Sequence, residues 1–204
     1  VTALALVGVA HAPPFRKVLA RAACPIGGDL DATAAQRETA RVHALSGRRG
    51  ARPTPSHLAR GLELGAVKVQ HARSTLGFSD ADCTVNAAGL VHECRGSGET
   101  VFLRADEAQQ VVAFASVERA PLASAGLRAR EVLKGWTDQL GAPDVEQGHF
   151  DDATLSAGVL AQARAEWRFS DFVVSVSATR MDVDEVVVTV EAQAVPPAAQ
   201  HASR

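Results

Sequence analysis

Apolar and polar positions alternate with a period of two through the C-terminal stretch RAEWRFSDFVVSVSATRMDVDEVVVTVEAQAV, residues 164–195. That periodicity predicts two long β-strands around a turn near Met181–Asp184. Phe172, Val174, Val176 and Ala178 share one face of the first strand; Val186, Val188, Val190 and Ala192 share one face of the second. A turn centred on Asp182 pairs Ala178 with Val186, Val176 with Val188 and Val174 with Val190, so every apolar side chain meets another. A slip of one residue would turn one set outward. Trp167 and Phe169 lie on the opposite parity, and the break at Ser170-Asp171 predicts a β-bulge or a change of face. Asp171 at such a break is read as structural.

Shorter alternating stretches at 83–87, 90–95, 100–104 and 110–118 predict four more strands. Two stretches carry helical spacing instead. AVKVQHARSTLG (66–77) predicts a short helix after LELG (62–65) and ending on Gly77. LASAGLRAREVLKGWTDQLG (122–141) sets Ala129, Val132, Leu133, Trp136 and Leu140 on one side, with Gly141 to cap it and Pro143 to stop it. The order helix, strands, helix, strands predicts an α+β fold: an antiparallel sheet with helices packed on one face, in two tandem helix-plus-strands units.

Upstream the pattern weakens. Residues 1–12, VTALALVGVAHA, form a short apolar run ending in an A-x-A site and read as a secretory signal segment, although no basic residue precedes them. The alternative is a buried first strand. Residues 13–57 read as a helical region, with helices at 15–24 and 31–46, closing in the linker GRRGARPTPS (47–56). The α+β domain then runs from 58 to 195, with a disordered tail at 196–204.

Composition adds exclusions. With 47% hydrophobic residues in 204, the chain can bury a core without metals or disulfides. Aromatics are 4%, with no Tyr, which argues against a stacking surface for nucleic acid. The net charge of −2 hides an uneven split: 13 basic against 8 acidic residues up to residue 104, and 8 against 15 beyond it. No Walker, GxGxxG or nucleophile-elbow pattern occurs, and no cofactor is expected.

CTVNAAGLVHEC (83–94) offers the sharpest chemistry. A two-residue turn at Ala88-Gly89 opposes Cys83 to Cys94, the geometry a disulfide needs. A three-residue loop would oppose Cys83 to Glu93 and leave free thiols. A metal site from Cys83, His92 and Cys94 lacks a fourth ligand near it except His71. The disulfide is the expectation, with no metal, and Cys24 is left over. GHFDD (148–152) supplies His149, Asp151 and Asp152 as candidates for acid–base chemistry; the plainer reading makes Asp151 or Asp152 the cap of a following helix.

LELG before the short helix and LGAPD (140–144) after the longer one resemble the α-β repeat of outer-membrane assembly lipoproteins and β-lactamase inhibitor proteins. WRFSDF (167–172) before a valine-rich strand also resembles uncharacterised exported proteins of Gram-negative soil bacteria. The likeness covers roughly residues 58–195. It implies the α+β fold and an interaction role without catalysis. The chain departs from the assembly lipoproteins in lacking a lipid-anchored cysteine. The expectation is a periplasmic or secreted module that binds another envelope protein, with no nucleic-acid partner and no transmembrane helix once the signal is removed. The alternatives are a small hydrolase-like enzyme using His149 and Asp151, or a cytosolic ligand-binding domain.

Overall fold

The alternating stretches become one antiparallel sheet. The computed structural model describes residues 47–96 and 98–195, so the stretches expected as a signal segment, as N-terminal helices and as a tail, with Cys24, lie outside the described residues. In chain order come a small hairpin, β1 (Leu58–Ala59) and β2 (Leu62–Glu63), and helix α1 (Val69–Thr75). Four strands follow: β3 (Cys83–Val85), β4 (Val91–Gly96), β5 (Glu99–Ala105) and β6 (Val111–Pro121). Helix α2 (Leu122–Leu140) starts without a break from β6. Then come β7 (Val145–Gln147), the one-turn helix α3 (Asp152–Ser156), β8 (Gln162–Arg168), β9 (Phe172–Arg180) and β10 (Glu185–Ala194).

The sheet order is β3-β4-β5-β6-β10-β9-β8-β7. Each half is therefore a helix followed by a four-strand meander, and the last strands of the two meanders, β6 and β10, pair at the centre. This is an α+β fold with an eight-stranded antiparallel sheet and α2 packed against it. One face is the core face: Val101, Leu103, Phe114, Val174, Val176, Val186 and Val188 are all 2% exposed or less. On α2, Ala125, Ala129, Trp136 and Leu140 are buried. Small residues at the first two positions let the helix lie close, and Trp136 fills the wider end. The helix stops at Gly141, whose φ of 84° is one that other residues adopt at a cost. The Gly141 carbonyl then accepts from Trp167 Nε1 at 2.8 Å, fastening the helix end to β8.

Two expectations need correction. The stretch 164–180 is not one strand with a bulge but two strands, β8 and β9, joined by the two-residue turn Ser170-Asp171, with Phe169 N–H donating to the Phe172 carbonyl. A two-residue turn sets position 169 opposite 172, so the odd set Trp167 and Phe169 and the even set Phe172 and Val174 share the core face. The change of parity marks the hairpin. The second correction is the register of β9 and β10. Val190 pairs with Val176 and Val188 with Ala178, two residues from the expected alignment. A slip of two keeps every side chain on its face, so the buried set is unchanged.

Most of the stretch 47–56, read as a linker, runs along the β8–β9 turn. Gly50 N–H donates to the Phe169 carbonyl and Ser170 N–H to the Arg52 carbonyl. The approach at Gly50 leaves no room for a side chain: a Cβ there would lie 1.9 Å from the Arg168 carbonyl oxygen. Arg52 stacks over the Phe169 ring at 4.8 Å.

Candidate functional site

Among the described residues, helices cover only one face of the sheet. On the other, the positions of β4, β5 and β6 that alternate with the core set are half-buried or exposed, while Val173, Ser175 and Glu166 on β9 and β8 are buried. Phe102 on β5, with Ala113, Ala115 and Val117 on β6, forms an apolar strip across the middle. Register places Phe102 beside Ala115 on one side and Glu93 on the other. Two hollows open here and share Phe102 as a wall. One, of about 480 Å³, is bounded by Glu93, Arg95, Thr100, Val117 and Arg119. The other, of about 310 Å³, is bounded by Val91, Arg104, Ala113 and Gln193.

The charges on this face follow the strand alternation. Arg95 Nε donates to Glu93 Oε1 at 2.7 Å, and Arg119 pairs with Glu185. Farther along, Glu166 on β8 is almost fully covered and gathers Arg48 at 2.6 Å, Arg168 at 3.1 Å and Arg164 at 3.5 Å. Burial alone would raise the Glu166 pKa, but the bonds from Arg168 and Arg48 outweigh it and hold the carboxyl below its ordinary value. Among the described strand residues of this face, arginines 95, 104, 119, 164 and 168 alternate with Glu93, Glu166, Glu185 and Glu191, so charges of both signs border the apolar strip.

At the sheet edge, Cys83 and Cys94 are opposed in register and joined in a disulfide. The register is the one a turn centred on Ala88-Gly89 gives. The loop itself is longer: Asn86 Oδ1 accepts from the N–H groups of Leu90 and Val91 and so holds its two ends. His92, two residues before Cys94, faces the core at 6% exposure, and neither ring nitrogen has a hydrogen-bond partner among the described residues. Burial, helped by the charge of Arg73 on α1, lowers its pKa; a weaker pull from the Gly89 backbone opposes both. Among the described residues no group of three His, Cys, Asp or Glu side chains is placed to hold a metal ion.

The GHFDD candidates lie elsewhere, at the start of α3. Asp151 Oδ1 accepts from Thr154 N–H at 2.7 Å and caps α3. That backbone bond first, then the Thr154 hydroxyl, lowers the Asp151 pKa, with smaller help from His149 and Arg130. Asp152 packs against α2 where a Cβ on Gly126 would sit 2.2 Å from its Oδ1. His149 is exposed. Asp171, at the β8–β9 turn, accepts from Thr54 N–H at 2.8 Å and lies 3.1 Å from His57 Nε2, so it fastens the incoming segment. The open-face arginines drew no attention in the sequence, because only the strand pairing brings them together.

No protein-family model and no curated protein matches the chain. Among solved structures, a DUF4309 family protein, YjgB of Bacillus subtilis, is similar at a TM-score of 0.38 and 11% identity, over 75% of this chain and 92% of that one. The likeness is loose, and no activity passes from one chain to the other. No described helix is long and apolar enough to cross a membrane.

Proposed function

We propose that this chain is an exported, non-catalytic interaction module that binds the acidic face of another envelope protein on the open side of its sheet. One observation carries the reading: a central aromatic and valine strip, Phe102 and Val117, flanked by Arg95 and Arg119 on a face that no helix of the described residues covers. Apolar centres with arginine at their margin are what protein interfaces are enriched in. Arg95 and Arg119 at the margin of the strip favour an acidic partner. The Cys83–Cys94 disulfide supports an oxidising compartment, periplasmic or extracellular. The tandem helix-plus-meander arrangement supports the resemblance to the α-β repeat of assembly lipoproteins and inhibitor proteins, whose role is likewise interaction.

The test pairs binding with a footprint. Wild-type protein and the variant R95E/R119E are compared for capture from an envelope extract, and hydrogen exchange is read on the recovered complex. The reading expects capture that weakens with salt, is lost in the variant, and protects β4–β6. Protection confined to α2, α3 or the β8–β9 turn, or capture unaffected by the variant, would overturn it.

A further inference from the structure

At the β8 side of the sheet, the arginines around Glu166 outnumber what that carboxylate can hold. Alternation along β8 puts Arg164, Glu166 and Arg168 on one side of the strand, and the incoming segment adds Arg48. Glu166 Oε1 accepts from Arg48 Nε at 2.6 Å, and its Oε2 from Arg168 Nη2 at 3.1 Å. Those two bonds engage both oxygens. Arg164 Nη2 lies 3.5 Å from the same Oε2, at the limit of a hydrogen bond, and brings charge more than bonding. Three guanidinium groups thus share one carboxylate, which leaves two positive charges uncompensated within the cluster. Two other acids near it have partners of their own. Asp144 pairs with Arg52 and accepts from the Arg168 backbone N–H. Glu191 stands two strands, or roughly 10 Å, from Glu166 and accepts from the Ser175 hydroxyl.

A second observation does not depend on charge. Arg48 Nη2 and Arg168 Nε are buried and have no hydrogen-bond partner among the described residues. The same holds for Gln193 Nε2, in the same row of the sheet as Arg168 with Val173 between them. Buried donors are nearly always satisfied, and a group of them left over in one place calls for an acceptor from outside. Water can accept from such donors, but it does nothing to relieve three crowded guanidinium groups. An anion does both. The side chains of Arg48, Arg168 and Arg164 are 30%, 38% and 39% exposed, so a ligand reaches them from solvent.

We infer that the arginine cluster on β8 binds a phosphate group. Two uncompensated positive charges match a dianion better than a single carboxylate. Oxygens at the corners of a tetrahedron can accept from arginines that approach from a strand and from a loop. Arg48 Nη2 and Arg168 Nε donate to the phosphate oxygens, and Arg164, only loosely tied to Glu166, supplies the third guanidinium.

Inorganic phosphate is the probe, with phenyl phosphate and acetate beside it at constant ionic strength. The readout is the arginine Nε–H NMR resonances of the intact chain. Phosphate is expected to move those of Arg48 and Arg168 in a saturable way, and acetate to bind about tenfold more weakly. Tighter binding of phenyl phosphate than of the free ion would identify a phosphate ester as the ligand, and the reverse phosphate itself; either result supports the site. Arg164→Gln leaves both strong bonds to Glu166 in place. It should weaken phosphate binding about tenfold, the worth of one charge-assisted contact, while the unliganded variant melts close to wild type. No saturable shift, acetate binding as well as phosphate, shifts centred away from β8, or an unchanged affinity in Arg164→Gln would each overturn the inference. Arg95 and Arg119 lie on β4 and β6, so R95E/R119E should bind phosphate as wild type does, and the two readings fail separately.

Discussion

Arg48 Nε donates to Glu166 Oε1 at 2.6 Å, joining residues 118 positions apart. The acceptor is 3% exposed and the donor's side chain 30%. The bond fixes the segment around residue 48 against β8, and a carboxylate buried among guanidinium groups is costly to leave half-paired.

Arg48→Ala should therefore lower stability by about 1–2 kcal/mol, the upper part of the range being discounted because water reaches the arginine. The sign with pH follows from the lowered Glu166 pKa. Its contribution is full above the ordinary value of 4.5 and falls away as pH drops through the lower folded value. Denaturation of wild type and variant should thus differ at neutral pH and converge in strong acid. Curves that stay parallel down to pH 2 would show that the bond does not matter.

Why this contact escaped a reading of the sequence is plain. GRRGARPTPS has no periodicity of its own, and its partners are set by β8 and β9, more than a hundred residues on. The β8–β9 turn was half legible: the parity break at Ser170-Asp171 was visible, but a bulge and a two-residue turn both change parity, and only the pairing of Phe169 with Phe172 separates them. The β9–β10 register was ambiguous in a different way. Alternation fixes faces but is blind to slips of two, so Val176 fell beside Val188 in the sequence and beside Val190 in the structure.

The two faces of the sheet should respond differently to charge. Val176 is fully buried against α2 and its neighbours, so Val176→Asp places an unpaired carboxylate in the core and should cost about 3 kcal/mol or more. Val187 is on β10 but on the open face, half exposed. Val187→Asp should cost well under half as much. Chemical denaturation of both variants measures the contrast, and equal losses would mean that the open face is buried by something in the protein's own fold.

His92 gives the domain an acid response of its own. Its folded pKa lies below the ordinary 6.5, because burial and Arg73 disfavour the imidazolium. The unfolded chain then binds the proton more readily, so stability is intact above pH 6.5 and is lost as pH falls from there toward the folded value. This window lies above that of Glu166, so the two separate on a pH scan. His92→Phe should flatten the melting temperature between pH 7.5 and 5.5 and leave the steeper loss below pH 4.5. A wild-type melting temperature that is already flat across the upper window would show that His92 protonates without penalty.

Reducing the Cys83–Cys94 bond should have a local effect. The two cysteines are 11 residues apart, so the loop they close is short, and chain entropy gives such a bond about 2–3 kcal/mol. β3 is the sheet's edge strand. Its Thr84 and Val85 are exposed, while Cys94 on β4 is fully buried. The strand has little apolar surface to hold it once the bond is cut. By contrast β6, β10, β9 and β8 share Phe114, Val174, Val176 and Val188 with α2 and do not depend on the edge. Hydrogen exchange after mild reduction should therefore show β3 and the Asn86–Leu90 loop losing protection, with β4 loosened toward its open end. The amides of β8–β10 should exchange as before. Cys83→Ser with Cys94→Ala should reproduce the pattern without reductant. Cooperative loss of protection through β10 on reduction would mean instead that the edge bond holds the whole sheet, and that the two meanders do not fold independently of it.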